Sequence, residues 1–339
     1  MKIKDLAKEL HLSKATISKA LKDSHEISAE TKQRVLELAR KMNYKPNPYA
    51  SSLRKKTSKT IAVVLPEVAD SFFSQAINGI DSIAQQKGYH VLIYLTHENF
   101  LREEAILKEF ANGRVDGILI SVSGETSQSD HIRSVVAAGI PVLFFDRICE
   151  DVETTRVITD DFESGYKAAL HLIEQGCKRI AYLSMSASLS ISNSRMKGYL
   201  QALSDHKIQV KPDDIVTCSN NIDDNLRVIK KVLKRKARPD GIIACVEKLT
   251  TSVYLACKEL DLKIPNDIKV ISFTNLQTAL ILDPPLTTIT QPAFEMGTTA
   301  ATVLFKVLQK SNLRLKEETI VVPSTLNVRG STRKTRSSK

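Results

Sequence analysis

The side chains with the most specific chemistry lie near the amino terminus, in the stretch from Lys14 to Lys19. Five of them offer groups that suit the edges of DNA bases: Lys14, Ala15, Thr16, Ser18 and Lys19. A lysine can donate to guanine O6 and N7, a hydroxyl can hydrogen-bond to a base, and an alanine can touch a thymine methyl. The stretch therefore predicts base recognition, provided that the surrounding elements place it in a groove of DNA.

Apolar residues at helical spacing predict the elements that would position this stretch. Three short helices are expected, at Ile3–Leu10, Lys14–Leu21 and Glu30–Met42. The turn between the first two, residues 11–13, is short enough that the helices must cross steeply, which is the helix-turn-helix geometry. In that geometry the amino-terminal part of the second helix meets base edges.

Local signals support these helix boundaries and a small core. Ser13 is expected to cap the second helix, and Ser28 the third, because their hydroxyls can accept from backbone N–H groups of the first turn. The inward positions Leu6, Ile17 and Leu21 are expected to be core residues rather than DNA contacts.

The distribution of charge agrees with a DNA-binding amino terminus. Of the formal charge of +11, residues 1–59 carry +9 and residues 329–339 carry +5, which leaves −3 for residues 60–328. An excess of positive charge at one end is expected where that end meets phosphate and the rest of the chain does not.

From residue 61 onward, continuous apolar runs alternate with amphipathic helical stretches. Strands are expected at Ile61–Leu65, Val91–Leu95, Gly117–Ile120, Val142–Phe145, Ile180–Ser184, Gly241–Cys245 and Ile268–Phe273. Helices are expected at 72–87, 99–112, 127–138, 162–175, 192–205, 222–236 and 247–260, with a further strand and helix within 287–309. Buried strands that alternate with helices indicate parallel sheets covered on both faces, here in two α/β lobes.

Several function classes are disfavoured by what the sequence does not contain. It has no G-x-G-x-x-G, phosphate-loop, nucleophile-elbow or H-E-x-x-H motif, and its histidines are scattered, so neither catalysis nor a cofactor or metal is expected. The five cysteines lack any C-x-x-C pair and are expected to be free thiols in a reducing cytosol. Neither a signal peptide nor a membrane-spanning run is found, so a cytoplasmic protein is expected.

The chain resembles the lactose-repressor (LacI/GalR) family from residue 2 to about residue 332. The resemblance begins with Ile3-Lys4-Asp5-Leu6-Ala7, Ser13-x-x-Thr16-Ile17-Ser18-Lys19-Ala20-Leu21 and Asn43-Tyr44-x-Pro46-Asn47-x-x-Ala50-x-x-Leu53-Arg54. It continues through Asp70-Ser71-Phe72-Phe73, Asp116-Gly117-Ile118, Phe145-Asp146-Arg147, Arg195-x-x-Gly198-Tyr199 and Gln291-Pro292-x-x-Glu295-Met296-Gly297. Each piece is weak alone, but so many pieces in the same order are highly specific.

The resemblance implies a bacterial DNA-binding transcriptional regulator, expected to be a repressor, that works on the nucleoid as a homodimer bound to a pseudo-palindromic operator. It implies a helix-turn-helix head over 1–46, a hinge helix and linker over 47–60, and a two-lobed core of the periplasmic-binding-protein type over 61–329. The first lobe (N-lobe) is expected to take 61–158 and 291–318, and the second (C-lobe) 159–290 and 319–329. Residues 330–339 are expected to form a disordered basic tail.

Further DNA contacts follow from the same resemblance. Ser28, Thr31 and Tyr44 match the family's phosphate-contacting positions, although Ser28 could equally be only a helix cap. Residues 47–53 match the hinge helix, in which Asn47, Ala50 and Leu53 would contact DNA and Leu53 would enter the minor groove. Family members often carry arginine where Lys19 stands, which puts bidentate guanine recognition there in doubt.

For a small-molecule effector, the resemblance points to a cleft between the lobes. Its predicted lining is Asp70, Phe72, Phe73, Asp146, Asp160, Arg195, Val246, Thr274 and Gln291. Phe72 could instead face the core, and Asp160 could instead cap the next helix. Many sugar-binding relatives carry an aspartate where Thr274 stands and an asparagine or similar polar residue where Val246 stands, so two hydroxyl-binding groups are absent here, which disfavours a simple free hexose. The expected effector is a sugar or sugar derivative, with a phosphorylated sugar, a nucleobase or a protein corepressor as the alternatives.

Overall fold

The structure, a computed structural model, describes residues 3–44, 57–110, 113–185, 189–310 and 313–333. The chain divides into two units, residues 1–58 and 59–339, which are described separately below. The predicted hinge residues Asn47, Ala50 and Leu53 lie outside the described residues.

The first unit, here called the head, contains the three predicted helices: α1 (Ile3–Glu9), α2 (Lys14–Ala20) and α3 (Ala29–Lys41). Its core is formed by Leu6, Ala7, Ile17, Ala20, Val35 and Ala39, with Leu21 packed against it. Ser13 Oγ accepts from Thr16 N at 3.0 Å, and Ser28 Oγ accepts from Thr31 N at 3.3 Å. These hydrogen bonds confirm both predicted caps, each of which satisfies one backbone N–H that the first helical turn leaves unpaired.

The second unit, here called the core, is built on two six-stranded sheets with helices on both faces, which confirms the predicted two-lobed α/β fold. The sheet of the N-lobe consists of β1 (Thr60–Leu65), β2 (His90–Leu95), β3 (Gly117–Ile120), β4 (Val142–Phe145), β5 (Thr155–Thr159) and β11 (Glu318–Val322), in the order β11-β5-β4-β3-β1-β2. Its helices are α4 (Ser71–Gln86), α5 (Phe100–Phe110), α6 (Asp130–Ala137) and α11 (Ala293–Leu308).

The sheet of the C-lobe consists of β6 (Ile180–Ser184), β7 (Ile215–Thr217), β8 (Gly241–Ala244), β9 (Lys269–Phe273), β10 (Thr287–Thr290) and β12 (Thr325–Asn327), in the order β12-β10-β9-β8-β6-β7. Its helices are α7 (Asp161–Glu174), α8 (Ser190–Asp205), α9 (Ile222–Leu233) and α10 (Lys248–Glu259). Every strand pair in both sheets is parallel except β10 with β12. The carboxyl ends of parallel strands are where α/β folds bind ligands.

The chain passes between the lobes three times, and the third passage differs from the prediction. Residues 319–329 were expected in the C-lobe, but β11 pairs in parallel with β5 of the N-lobe over its whole length. Val322 joins the apolar core of that lobe. The passage therefore follows Val322, because the apolar residues of β11 are buried only when the strand completes the first sheet.

The prediction that residues 330–339 are disordered is wrong for Ser331 and Thr332. Ser331 and Thr332 are completely buried in the C-lobe. Ser331 Oγ donates to Val270 O at 2.6 Å and accepts from Thr287 N at 2.8 Å. Composition predicted disorder here, but these small hydroxyl side chains satisfy backbone groups at the end of the second sheet. Residues 334–339 lie outside the described residues.

Each lobe contains one pair of helices that cross at glycines. In the N-lobe, α4 and α11 meet at Gly79 and Gly297, and in the C-lobe, α7 and α8 meet at Gly165 and Gly198. A Cβ atom on Gly165 would lie 2.0 Å from Arg195 O, and one on Gly198 would lie 2.0 Å from Phe162 O. Only glycine permits so close an approach, so these pairs determine where α7 and α8 hold their polar side chains.

The cysteines of the core are free, as predicted. Cys177, Cys218, Cys245 and Cys257 are buried and Cys149 is partly buried. Within the described ranges, no helix combines the length and the apolarity that crossing a membrane would require.

Candidate functional site

The outer face of α2 carries the residues predicted to read DNA bases. Lys14, Ala15 and Lys19 are exposed and Thr16 and Ser18 are half-buried, whereas Ile17 and Ala20 of the same helix point into the core of the head. The 3.6-residue period therefore separates the two sets on opposite faces. Thr16 Oγ1 lies 2.9 Å from Ser13 Oγ, so the cap also orients this hydroxyl.

An ion pair on the head was not foreseen from the sequence. The ammonium of Lys19 pairs with the carboxylate of Glu26, and about half of each side chain is exposed. Such an exposed pair contributes at most about 1 kcal/mol. Glu26 therefore competes with DNA bases for the donors of this ammonium.

The residues predicted to contact phosphates have structural roles as well. Ser28 is exposed and caps α3, and its hydroxyl also donates to Thr31 Oγ1 at 2.9 Å. Tyr44 is half-buried and packs against the apolar core of the head. These contacts hold the three side chains in place, and the cap alternative for Ser28 is therefore realised.

Between the lobes lies a small cavity, with about 30 Å³ of free volume, which is enough for about one water molecule. It is lined by Asp70, Phe72, Phe73, Asp146, Arg147, Ile191, Arg195, Val246, Glu247, Phe273, Thr274, Asn275 and Gln291. The structure thus brings together eight of the nine residues predicted for the effector cleft. Asp160 is the exception.

Arg195 is the most constrained side chain of the cavity. It is 2 % exposed, donates from Nε to Asp161 Oδ1 at 2.7 Å and from Nη1 to Cys245 O at 2.6 Å. Its guanidinium lies 4.3 Å from the centre of the Phe273 ring. Nη2 has no partner among the described residues, so one donor of a buried cation is available to a ligand.

Two carboxyl groups of the cavity titrate well above the ordinary aspartate value of 3.8. Burial raises the pKa of Asp146 to about 6, although Arg147 and Arg195 counteract it. Burial, with the nearby charge of Glu247, raises the pKa of Asp70 to about 6. Asp70 Oδ1 accepts from Phe72 N at 2.9 Å, so this carboxylate also caps α4.

The aromatic residues serve both the cavity and the core of the N-lobe. Phe72 is only 6 % exposed and Phe73 only 3 % exposed, and both belong to the apolar cluster of the first lobe. Their rings meet edge to face at 5.3 Å, and Phe73 meets Phe145 at 6.5 Å. The alternative that Phe72 faces the core is therefore realised together with its place in the cavity lining.

Glu247 was not predicted, yet it makes the most extensive contacts across the cavity. Its carboxylate accepts from Ser71 N at 2.9 Å and from the Ser71 hydroxyl, both in the N-lobe. On its own lobe it accepts from Thr274 Oγ1 at 2.6 Å and from Asn275 N at 3.2 Å. The hydroxyl of Thr274 is thus already engaged, and one carboxylate links the two lobes.

Further contacts join the lobes beside Glu247. Lys248 Nζ lies 2.7 Å from Glu67 Oε1, and Asn275 Nδ2 donates to Gln75 Oε1 at 3.2 Å. Gln291 N donates to Asn275 Oδ1 at 3.0 Å where the chain passes between the lobes. Together with the small cavity, these contacts define a closed cleft filled by the protein's own side chains.

Asp160 does not line this cavity but a neighbouring one, which shares Asp146 and Ile191 with it. It precedes α7, but its side chain accepts none of the backbone N–H groups of that helix. It accepts from Ser324 N at 2.6 Å and pairs with Lys167 Nζ at 3.1 Å. Burial would raise its pKa, but hydrogen bonds led by that of Ser324 hold the pKa below the usual value. Asp160 thus links the interlobe segment between β5 and α7 to the one between β11 and β12.

Replacing Asp146 with asparagine is expected to stabilise the core at neutral pH. The folded protein retains a proton on Asp146 up to about pH 6, whereas the unfolded chain loses it near pH 3.8. Stability therefore falls as the pH rises from about 4 to about 6 and then levels off, because the unfolded state binds fewer protons.

At pH 7.5 the free energy of unfolding of the asparagine variant should exceed that of the wild type by about 3 kcal/mol, with a smaller gain at pH 4.5. Urea denaturation followed by circular dichroism at both pH values measures this difference. A gain that does not depend on pH would contradict the assigned titration.

Across the residues that the structure describes, no group of three or more histidine, cysteine, aspartate or glutamate side chains is arranged to hold a metal ion.

Comparisons with known families match both units of the chain. Residues 2–47 match the model of bacterial regulatory proteins of the lacI family. Residues 58–327 match the model of periplasmic binding proteins and the sugar binding domain of the LacI family.

Relatives are similar over nearly the whole length. The catabolite control protein A of Priestia megaterium is 26% identical over 332 residues, covering 98% of this chain and 99% of the relative. The HTH-type transcriptional repressor CytR of Escherichia coli (strain K12) is 29% identical over 332 residues, covering 98% and 96%. A solved Lac repressor dimer bound to operator and the anti-inducer ONPF superposes with a TM-score of 0.83 at 22% identity, covering 98% of this chain and 99% of that one.

Proposed function

Because the chain belongs to the LacI family of bacterial regulatory proteins and is a DNA-binding transcriptional repressor, we propose that a sugar or sugar derivative bound between its lobes sets its affinity for operator DNA. The observation that carries this proposal is the interlobe cavity, in which the buried Arg195 keeps one donor unpaired. A hydroxyl oxygen is the acceptor that such a donor would bind on a polyol. The protein would act at the nucleoid, in the bacterial cytoplasm.

In this proposal, the head reads the operator with the outer face of α2. The residues that meet base edges are Lys14, Ala15, Thr16, Ser18 and Lys19. Ser28, Thr31 and Tyr44 contact phosphates and set the register without reading sequence. The hinge contributes Asn47, Ala50 and Leu53, with Leu53 in the minor groove.

Replacing Glu26 with glutamine is expected to tighten operator binding about threefold, because it releases Lys19 from an exposed ion pair. A gel-shift titration of the full chain measures the change. Glu37→Gln is the matched control. It removes a negative charge from the head in the same way, but Glu37, on α3, accepts a hydrogen bond from Gln33 and does not pair with Lys19. Equal gains from both variants would mean that the total charge of the head matters and that Lys19 does not.

The effector site in this proposal consists of the eight cavity residues predicted from the sequence. Arg195, Asp146 and Asp70 supply polar groups for hydroxyls, while Phe72 and Phe73 supply apolar faces. Effector binding changes the lobe closure that Glu247 now maintains. By linkage, operator DNA must change effector affinity by the same factor as the effector changes operator affinity.

We further propose that the core forms the homodimer through exposed apolar patches. Leu280 is 58 % and Ile281 80 % exposed, Leu255 of α10 is also exposed, and Leu92 and Ile93 are exposed on β2, the edge strand of the first sheet. A second copy of the chain would cover these side chains, as the two half-sites of a pseudo-palindrome require.

Ile281→Asp is expected to turn the dimer into a monomer and to weaken operator binding more than about tenfold, because the two heads then no longer bind as one unit. Light scattering and gel shift measure the two effects. Val136→Asp, on α6, places the same charge on another exposed apolar side chain and should leave both unchanged. A dimer that survives Ile281→Asp would contradict the assigned surface.

The direct test of the proposed function is binding of the purified full chain to genomic fragments that flank its own gene, with and without a panel of sugars and sugar phosphates. A specific, salt-sensitive footprint that one compound weakens or strengthens is the expected result. A specific footprint that no compound changes would contradict small-molecule control while leaving DNA recognition intact.

A further inference from the structure

The charges around the interlobe cavity are unbalanced. Three carboxylates, Asp70, Asp146 and Glu247, and two guanidiniums, Arg147 and Arg195, line it. The imbalance is larger than these five residues suggest, because both guanidiniums are held by further carboxylates.

Arg147 is engaged by a carboxylate behind the cavity wall. Its Nη1 lies 3.0 Å from Glu98 Oε1 and 2.8 Å from Glu98 Oε2. Its Nε is 3.8 Å from Asp146 Oδ2, beyond hydrogen-bond distance, and has no hydrogen-bond partner among the described residues. Arg147 is therefore paired more closely with Glu98 than with Asp146.

Arg195 is neutralised in the same way by Asp161, at 2.7 Å. Five carboxylates and two guanidiniums then surround the cavity, a formal charge of −3. Among the described residues, neither Asp70 nor Glu247 has an ion-pair partner, and the donors to Glu247 are neutral hydroxyl and backbone groups. Burial is the main cause of the raised pKa values of Asp70 and Asp146, and the charge of Glu247 adds to it at Asp70.

The negative charge around the cavity favours some classes of ligand over others. A phosphate or carboxylate would meet three like charges in a site with little water, whereas an ammonium would pair with carboxylates that now lack a cation. The unpaired Nη2 of Arg195 still requires an acceptor oxygen on the ligand. A matching ligand therefore carries both a protonated amine and hydroxyl groups.

We propose that the cleft selects an aminated polyol, such as an amino sugar, over its neutral and phosphorylated counterparts. This inference rests on the proposed function and names the class of its effector. The ammonium donates to carboxylates of Asp70, Asp146 or Glu247, and a ligand hydroxyl accepts from Arg195. Since the present cavity has room for only about one water, the lobes must separate to admit the ligand, which breaks the hydrogen bonds between Glu247 and Ser71.

The test uses matched triplets with the full chain at pH 7.0: D-glucosamine, D-glucose and D-glucose 6-phosphate, with the corresponding galactose and mannose series. Calorimetric titration measures affinity, and a gel shift in the same buffer measures the operator response. At least one aminated sugar is expected to bind, at least about tenfold tighter than its neutral counterpart, with no binding of the phosphate. The inference is overturned if a neutral or phosphorylated sugar binds at least as tightly as its aminated counterpart, or if no aminated sugar binds.

The variants Asp70→Asn and Asp146→Asn should each reduce the preference for the aminated over the neutral sugar about tenfold, because an ammonium loses an ion-pair partner whereas a hydroxyl can still bind the amide. Glu153→Gln removes an exposed carboxylate that lines neither this cavity nor the neighbouring one, and is the matched control. Circular dichroism establishes that each variant is folded. Unchanged preference in both folded asparagine variants would overturn the inference.

Failure of this inference and failure of the proposed function give different results. If a neutral sugar changes operator binding at the same or a lower concentration than its aminated counterpart, the proposed function stands and the preference for an amine is refuted. If no sugar of any triplet changes the operator footprint, small-molecule control by sugars falls as well.

Discussion

Replacing Arg195 with alanine is expected to lower the free energy of unfolding of the core by about 3–5 kcal/mol. The guanidinium is completely enclosed and binds Asp161, whose side chain is 8 % exposed. Without Arg195, burial of the Asp161 charge is uncompensated, and burial already raises the pKa of this carboxyl even with Arg195 present. The carbonyl of Cys245 loses its donor as well. Urea denaturation followed by circular dichroism measures the loss.

Two further variants distinguish the loss of this buried ion pair from the general effect of shortening an arginine side chain. The double variant Arg195→Met with Asp161→Asn removes both charges and should recover part of the stability, because no isolated charge stays buried. Arg227→Ala breaks an exposed pair with Asp224 on α9 and should change stability by less than about 0.5 kcal/mol. A loss below about 1 kcal/mol for Arg195→Ala would contradict the assigned role.

Replacing Gly165 with alanine is expected to destabilise the core by about 3 kcal/mol, at the upper end of what overpacking costs. The new methyl would lie 2.0 Å from Arg195 O and 2.7 Å from Arg195 C. Backbone atoms cannot rotate away as the end of a side chain can, so α7 and α8 would have to separate. Since Arg195 belongs to α8, its guanidinium would shift relative to Asp161 on α7.

Thermal and urea unfolding measure this effect, and ligand titration reports the displaced guanidinium. Glu163→Ala, at an exposed position of the same helix, places an alanine where no backbone atom is crowded and should fall within about 0.5 kcal/mol of the wild type. Gly79→Ala, at the equivalent crossing of the N-lobe, should destabilise by a similar amount, since its methyl would lie 2.2 Å from Phe294 O. A Gly165→Ala variant as stable as the control would contradict the close crossing.

Most strands of the two sheets were predictable because they are continuous apolar runs. Gly117–Ile120, Val142–Phe145 and Ile180–Ser184 were expected at their observed bounds. Two strands, β5 and β7, were not expected. β5, Thr-Arg-Val-Ile-Thr, alternates buried and half-buried residues, and β7 has three residues. Their strand conformation depends on pairing with β4 and β6, which no local pattern reports.

The candidate site, too, was predictable only in part from the sequence. The resemblance to the LacI family located eight residues that do meet at one cavity, but it included Asp160 and omitted Glu247. Asp160 binds Ser324, 164 residues away, and Glu247 binds Ser71, 176 residues away. Neither partner can be assigned from neighbouring sequence, because both contacts depend on how the lobes are arranged.

The sequence by itself determined the three-helix head with its two serine caps, the alternation of strands and helices, and the family. The head and the alternation depend on helical and strand periodicity and on hydrogen bonds between residues three positions apart, whereas the family follows from the resemblance of many short motifs in the same order. Only the tertiary structure decided that the cleft is closed by Glu247, that Arg147 and Arg195 are each neutralised by a carboxylate from elsewhere, and that Ser331 and Thr332 are buried. Those outcomes depend on contacts between distant segments, where burial and the balance of charge are set by the packed fold as a whole.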